Sequence, residues 1–202
     1  MRRTSPLLVV LALALVVLGG CGGRATTASS SASSTGSTST QPPVPVEKNP
    51  PGDIPDSTAF VPFKAAGGFS IKVPEGWARR GTANSVEFTD KLNTVRAIWS
   101  QSAAAPTAKS VKRNDLAVLA KSEAAFHVVE VKTVTLTSGP AILTLFKENS
   151  APNSVTGKQY RMDVERFTLW RGGTRVDLWL LSPVGADNVD PWRIVSESFT
   201  WK

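Results

Sequence analysis

The residues able to do covalent or acid-base chemistry are few and scattered along the chain. There is one Cys, Cys21, and one His, His127. A zinc site would have to be assembled almost wholly from carboxylates, and no H-E-x-x-H pattern occurs. A Ser-His-Asp arrangement would have to use His127, which opens a run of β-branched residues, and no G-x-S-x-G elbow is present. Asp163 and Glu165 are spaced to share one strand face, as a glycosidase pair would be. Interleaved with Arg161 and Arg166, they read instead as a charged sheet surface where opposite charges pair across strands. The pairs Gly22-Gly23, Gly67-Gly68 and Gly172-Gly173 carry no phosphate-cradling G-x-x-x-x-G-K pattern. The expectation is therefore of no catalytic residue, no metal ligand and no cofactor.

Cys21 has a more specific setting. Met1-Arg2-Arg3 precedes an apolar stretch from Leu7 to Leu18, and Gly19-Gly20 follows, which is the charged, apolar and small-residue order of an export signal. The stretch falls short of the roughly 20 residues that a membrane-crossing helix needs. Leu18-Gly19-Gly20-Cys21 resembles the lipobox of bacterial lipoproteins. That resemblance implies a signal peptide over residues 1–20, a diacylglycerol on Cys21, and anchoring at the outer face of the cytoplasmic membrane. Acyl chains contribute about 0.8 kcal/mol per buried CH₂, and two chains hold where one does not. An ordinary secretory signal with an incidental Cys is the alternative.

With its one Cys taken by lipid, the exported domain has no disulfide and depends on burial. The formal charge is +7, or +5 once Arg2 and Arg3 leave with the signal. The excess is spread out, which suits loose contact with anionic lipid or wall polymers and offers no basic stripe for nucleic acid. From Gly22 to about Thr58 the chain is Ser, Thr, Gly and Ala, then Gln41-Pro42-Pro43-Val44-Pro45 and Asn49-Pro50-Pro51-Gly52-Asp53. So little apolar surface predicts a disordered tether over residues 21–58. A Pro-rich docking motif is the alternative for its second half.

Residues 59–202 are enough for one domain with its own core, and all six Trp residues lie there. Phe69-Ser70-Ile71-Lys72-Val73 alternates as a half-buried strand, and two short strands follow at Ser85 to Asp90 and Thr94 to Gln101. Thr107 to Ala125 lacks Gly and Pro and places Leu116, Leu119 and Ala120 at helical spacing. Phe126 to Thr137 and Ala141 to Lys147 form a hairpin about Ser138-Gly139-Pro140. Gln159 to Arg171 meets Thr174 to Ser182 across Gly172-Gly173, a two-residue turn signal. A last helix begins at Asp190-Pro191, with Asp190 as N-cap and Trp192, Val195 and Phe199 on one face. The order describes an α+β fold, an antiparallel β-sheet flanked by two helices.

The second hairpin fixes a register. A turn at Gly172-Gly173 sets Arg171 opposite Thr174, Trp170 opposite Arg175, Thr168 opposite Asp177, and Arg166 opposite Trp179. Phe167, Leu169, Val176 and Leu178 then form the core face. Arg166, Trp170, Arg175 and Trp179 share the other face and form the candidate binding surface, an aromatic strip with guanidinium groups. The alternative for that face is packing beneath a helix or loop, with the arginines reaching outward.

Gly68-Phe69-Ser70-Ile71-Lys72-Val73-Pro74-Glu75-Gly76-Trp77, the single mid-domain helix, the later hairpins and Ser198-Phe199-Thr200-Trp201 together resemble PsbP-like domains, including the LpqN-type lipoproteins of actinobacteria. The resemblance implies a scaffold or binding role and carries over no catalytic residue. The functional expectation is a non-enzymatic binding or accessory module of the cell envelope, with an envelope protein or glycan as partner. The alternatives are a carrier of a lipid or small apolar ligand, which needs an emptied pocket between sheet and helix, and an envelope hydrolase, which needs His127 in a cleft.

Overall fold

The computed structural model describes residues 41–202. The signal peptide expected at residues 1–20, the lipidation expected at Cys21 and the first part of the expected tether lie outside the described residues. Among those described, no helix is long and apolar enough to cross a membrane.

Strand-forming sequence dominates, in the order β1 (Phe60–Ala65), β2 (Phe69–Pro74), β3 (Ala78–Thr82), β4 (Ser85–Asp90) and β5 (Asn93–Gln101). A helical segment follows, in which α1 (Ala108–Ser110) runs through a π-helical turn (Val111–Asp115) into α2 (Leu116–Ser122). Then come β6 (His127–Leu136), β7 (Gly139–Asn149), β8 (Arg161–Arg171), β9 (Thr174–Pro183), α3 (Val189–Glu197) and β10 (Thr200–Trp201). A seven-stranded antiparallel sheet has the order β3-β4-β5-β9-β8-β7-β6, and a three-stranded sheet has the order β1-β2-β10. The fold is α+β as expected. The strand at Phe69 to Val73, however, belongs to a second, smaller sheet.

The large sheet is covered on both faces, and the two-residue period of its strands sorts the side chains. On one face Val86, Phe88, Val95, Phe167, Leu169, Val176 and Leu178 form the main core with Phe69, Ile71 and Val73 of β2 and Trp192, Val195 and Phe199 of the C-terminal segment. On the other, Val111 packs on Val131 and Ile142, and Leu119 packs on Phe146, Met162, Val164, Trp179 and Leu181. The helical segment starts at Thr107, as its capping box with Ser110 requires.

Several boundaries moved: the mid-domain helix ends at Ser122 and not at Ala125, and β8 begins at Arg161 and not at Gln159. The β6–β7 turn is Thr137-Ser138, with Leu136 opposite Gly139. Pro140 therefore stands inside β7, one residue short of where β8 begins to pair, so its missing N–H costs no ladder bond. The last helix starts at Val189 with Asn188 in the cap position, two residues ahead of the expected Asp190 cap.

The tether is the larger correction. Residues 41–58 lie against the domain as an irregular strap. The Asn149 amide donates to Pro42 O (2.9 Å) and accepts from Val44 N (3.1 Å). Lys158 pairs with Glu47. Gly52 O accepts from Asn93 Nδ2 (2.6 Å) and Asn188 Nδ2 (2.9 Å), while Ile54 N donates to Asn188 Oδ1 (2.8 Å). Ile54 is buried in the main core. What holds this segment is its own backbone polar groups, satisfied by three buried asparagines, so a count of apolar residues misses it. Residues 41–58 thus pack with the domain and are not a free part of the expected tether.

Candidate functional site

β8 and β9 pair as the Gly172-Gly173 turn requires, with Trp170 opposite Arg175, Thr168 opposite Asp177 and Arg166 opposite Trp179. Both turn glycines have positive φ, 54° and 87°. β5 adds Arg96 opposite Trp179 on the other side, and β4 adds Glu87 opposite Arg96. One row across four strands therefore reads Glu87, Arg96, Trp179, Arg166. The Arg166 and Arg96 guanidinium groups lie 5.3 and 5.9 Å from the Trp179 ring centroid, on either side of it in the row and within cation–π reach. Arg96 donates to Glu87 at 2.7 Å.

This face is not an open platform. Trp179 is 6% exposed and Arg166 5%, because the π turn and α2 pack over them. Sheet residues of both parities are apolar in β8 and β9, and a second cover follows from that. Asp115, at the end of the π turn, reaches down to the arginines: its Oδ2 accepts from Arg166 Nη2 at 3.0 Å and also from Arg175 Nη2. Asp177 accepts from Arg166 Nη2 (2.9 Å), Thr168 Oγ1 (2.7 Å) and Arg175 Nε (3.0 Å). Two arginines are thus balanced by two aspartates, and the cluster pins helix to sheet. Burial works against the Arg175 charge, but the bonds to Asp115 and Asp177 outweigh it and leave the guanidinium above its ordinary range. Trp170 diverges from the cluster, its indole N–H donating to Ser102 O at 2.9 Å.

A cavity of about 290 Å³ remains beneath α2, walled by Asp115, Val118, Leu119, Glu123, Arg166 and Trp179. Three donor atoms of its wall residues, Arg166 Nε, Arg166 Nη1 and Trp179 Nε1, are buried without a hydrogen-bond partner. Each such group costs about 1–3 kcal/mol, and native interiors leave few of them. Beside the cavity, Glu148 is buried. Burial foremost, and then Glu123, push its carboxyl up to about 8, against the pull of Arg96 and Arg161.

The remaining candidates are separate from this cavity. His127 is exposed at the first position of β6, opposite Lys147. Asp163 and Glu165 share one strand face, on a cleft of about 280 Å³ beside α3. Asp163 pairs across strands with Lys147, as expected of a charged sheet surface, whereas of the interleaved arginines Arg166 points to the opposite face and Arg161 bonds Ala125 O and Asn149. Burial, then Asp163, raises the Glu165 carboxyl. Sequence reasoning missed Asp115, Arg96 and Glu148. Asp115 stands four residues before Leu119, one turn back on the same helix face, and that spacing was a usable signal.

No protein-family model matches the chain, and no curated protein does. Several solved structures are similar at low identity. PsbP (CyanoP) from Synechocystis sp. PCC 6803 is 12% identical with a TM-score of 0.47, over 76% of this chain and 100% of that one. LpqN of Mycobacterium tuberculosis, described as involved in cell envelope biogenesis, is 17% identical with a TM-score of 0.41, over 72% and 91%. A Bacteroides thetaiotaomicron protein is 14% identical with a TM-score of 0.46, over 70% of this chain and 48% of that one, so the chain spans about half its length.

Proposed function

We propose that this chain is a lipoprotein of the PsbP-like group, anchored through diacylglycerol on Cys21 at the outer face of the cytoplasmic membrane, and that it works as a non-enzymatic binding module of the cell envelope. The observation that carries the binding role is the cavity beneath α2, whose wall residues Arg166 and Trp179 hold buried N–H groups without acceptors. Of its charged wall residues, Asp115, Arg166 and Arg175 are engaged with one another and with Asp177 behind them, which supports holding a ligand over turning one over.

Two measurements test this. Mass spectrometry of the mature N-terminus from the native membrane should find lipid on Cys21 and none after Cys21→Ala; unmodified Cys21 in the wild type sinks the anchoring. A photo-crosslinking residue at Val118, on the cavity rim, should capture one envelope component in intact cells, while the same residue at Val155, on an exposed loop, should not. Equal capture at both positions removes the cavity from the proposal.

A carrier role has one observation in its favour. A groove of about 510 Å³ runs between α1 and the sheet, lined by Pro106, Ala108, Pro140, Ile142 and Trp170 among others. Displacement of a fluorescent fatty acid by cell-envelope lipid extract, abolished by Ile142→Glu, would favour this reading.

A further inference from the structure

We infer that the outer face of the helical segment from Ala108 to Ser122 is the side on which the domain lies against a lipid surface, its exposed cations meeting the anionic headgroups of the membrane in which the chain is anchored. This orientation rests on the anchoring reading, which supplies the surface, and adds which side of the fold faces it.

The segment sorts its charges by face. Lys109, Lys112, Arg113 and Lys121 are all exposed, as are Ala117 and Val118 among them, while Val111 and Leu119 are buried against the sheet. Lys109, Arg113, Ala117 and Lys121 recur every four residues, which keeps them on one side of a helix. The one acid of the segment, Asp115, turns the other way and is taken by Arg166 and Arg175. Among the described residues none of the four outward cations has an ion-pair partner, and Arg113 Nε donates to the adjacent Asn114. Because the apolar side of the segment is spent on the sheet, the outer side holds a surface by charge and not by insertion.

The other side of the large sheet has the opposite sign. From Asp187 to the end of α3 the chain carries three acids, Asp187, Asp190 and Glu197, and one cation, Arg193. The domain is therefore polarised across its sheet, and a negative surface draws the α2 side toward itself. A second group of exposed cations without ion pairs, Lys64, Lys72, Arg79 and Arg80, stands on β1, β2 and β3.

The point at which the chain leaves toward Cys21 decides between the two groups. The Asn149 side chain holds Pro42 and Val44 of the strap, and its backbone N–H donates to Ala124 O (2.8 Å), two residues past α2. The route to the anchor therefore departs at the end of α2 that carries Lys121. From β7, which bears Asn149, β3 is five strands away in the order of the sheet, about 24 Å at roughly 4.8 Å per strand. An acidic polymer would meet the same charges on the helix, but a lipid surface is already held beside them by the chain itself. Joined to the anchor in this way, the electrostatic contact needs little affinity of its own.

The test uses the mature chain with Cys21→Ser, which carries no lipid and no other thiol, and vesicles of phosphatidylcholine with or without one-third phosphatidylglycerol. The chain should sediment with the anionic vesicles and not with the neutral ones, and should leave them as salt rises from about 0.1 M to about 1 M and the screening length falls from about 10 Å to about 3 Å. Lys109→Gln, Lys112→Gln, Arg113→Gln and Lys121→Gln together should weaken binding by about fivefold per cation. The equal charge change at Lys64, Lys72, Arg79 and Arg80 should weaken it far less. A dye on Ala117→Cys should be quenched by lipid with a nitroxide headgroup, and one on Val189→Cys, exposed at the start of α3, should not. Equal binding to both kinds of vesicle, equal loss in the two charge variants, equal quenching at the two labels, or release of the chain from the vesicles by polyglutamate of equal charge overturns the lipid-facing helix. A failed vesicle assay with lipid found on Cys21 retires this face and leaves the anchor; vesicle binding with Cys21 found unmodified retires the anchor and leaves the face as a peripheral lipid site.

Discussion

Asn149 and Asn188 hold the strap with the same two-bond grip. In each, the amide oxygen accepts the N–H of one strap residue and the amide nitrogen donates to the carbonyl two residues earlier, Val44 and Pro42 in the first case, Ile54 and Gly52 in the second. Truncating either amide strands a donor and an acceptor, so Asn188→Ala should cost about 2–4 kcal/mol. Urea unfolding reads the loss. A chain begun at Gln41 should match the mature protein in midpoint, and one begun at Ala59 should be markedly less stable.

Trp179→Ala should cost about 3–5 kcal/mol of stability, the range for emptying a buried aromatic site. Trp170→Ala, at a half-buried position with one bond to Ser102 O, should cost less. Denaturant midpoints of the two variants compare them directly. A Trp179 loss below that of Trp170 would contradict the packing described for α2.

Asp115→Ala removes the group that both Arg166 and Arg175 share from the helix side. It should cost about 3 kcal/mol, the lower end for breaking a buried pair, since the site is not fully enclosed. Amide exchange should quicken selectively across Leu116–Ser122 while β8 and β9 stay protected, because Asp177 still satisfies the arginines from the sheet.

The pH dependence follows from Glu148, raised from 4.5 to about 8 by burial and by Glu123. Between those values the folded chain keeps a proton that the unfolded chain has released, so stability falls as pH rises through the window and levels off above about 8. Glu148→Gln keeps the neutral shape and cannot ionise. Its stability curve should be flatter from pH 5 to 8, and above about pH 8 it should exceed the wild type by roughly 3–5 kcal/mol. Thermal unfolding at fixed ionic strength across this range checks both the slope and its removal.

Features with a short-range physical code were legible in the sequence. Gly172-Gly173 imposes a two-residue turn, and the strand period then sets every pair down to Arg166 opposite Trp179. The stretch from Thr107, free of Gly and Pro and with Leu116 and Leu119 at helical spacing, reads as a helix and is one over Ala108–Ser122. β1 and β3 went unread because β1 carries Pro62 and a broken alternation, and all of β3 (Ala-Arg-Arg-Gly-Thr) is exposed, so neither has a buried stripe. For the candidate site, the sequence showed which side chains share a face but not what lies over it. That cover depends on a helix more than forty residues upstream of Arg166, and on Asp115 finding two arginines there. The strap failed for the same reason, its partners Asn93, Asn149 and Asn188 being distant in the chain and bland in type.

The strap also decides how the domain meets mechanical force. Tension applied through the chain before Gln41 arrives first at the Asn149 grip and the Glu47–Lys158 pair, then at Gly52 and Ile54, and only afterwards at β1. These attachments yield in turn, each held by a few side-chain bonds, whereas the sheets are held by whole ladders. A pull would peel off residues 42–54 as a distinct early step, lengthening the molecule by up to about 40 Å at roughly 3.4 Å per residue, while the fold behind it stays intact.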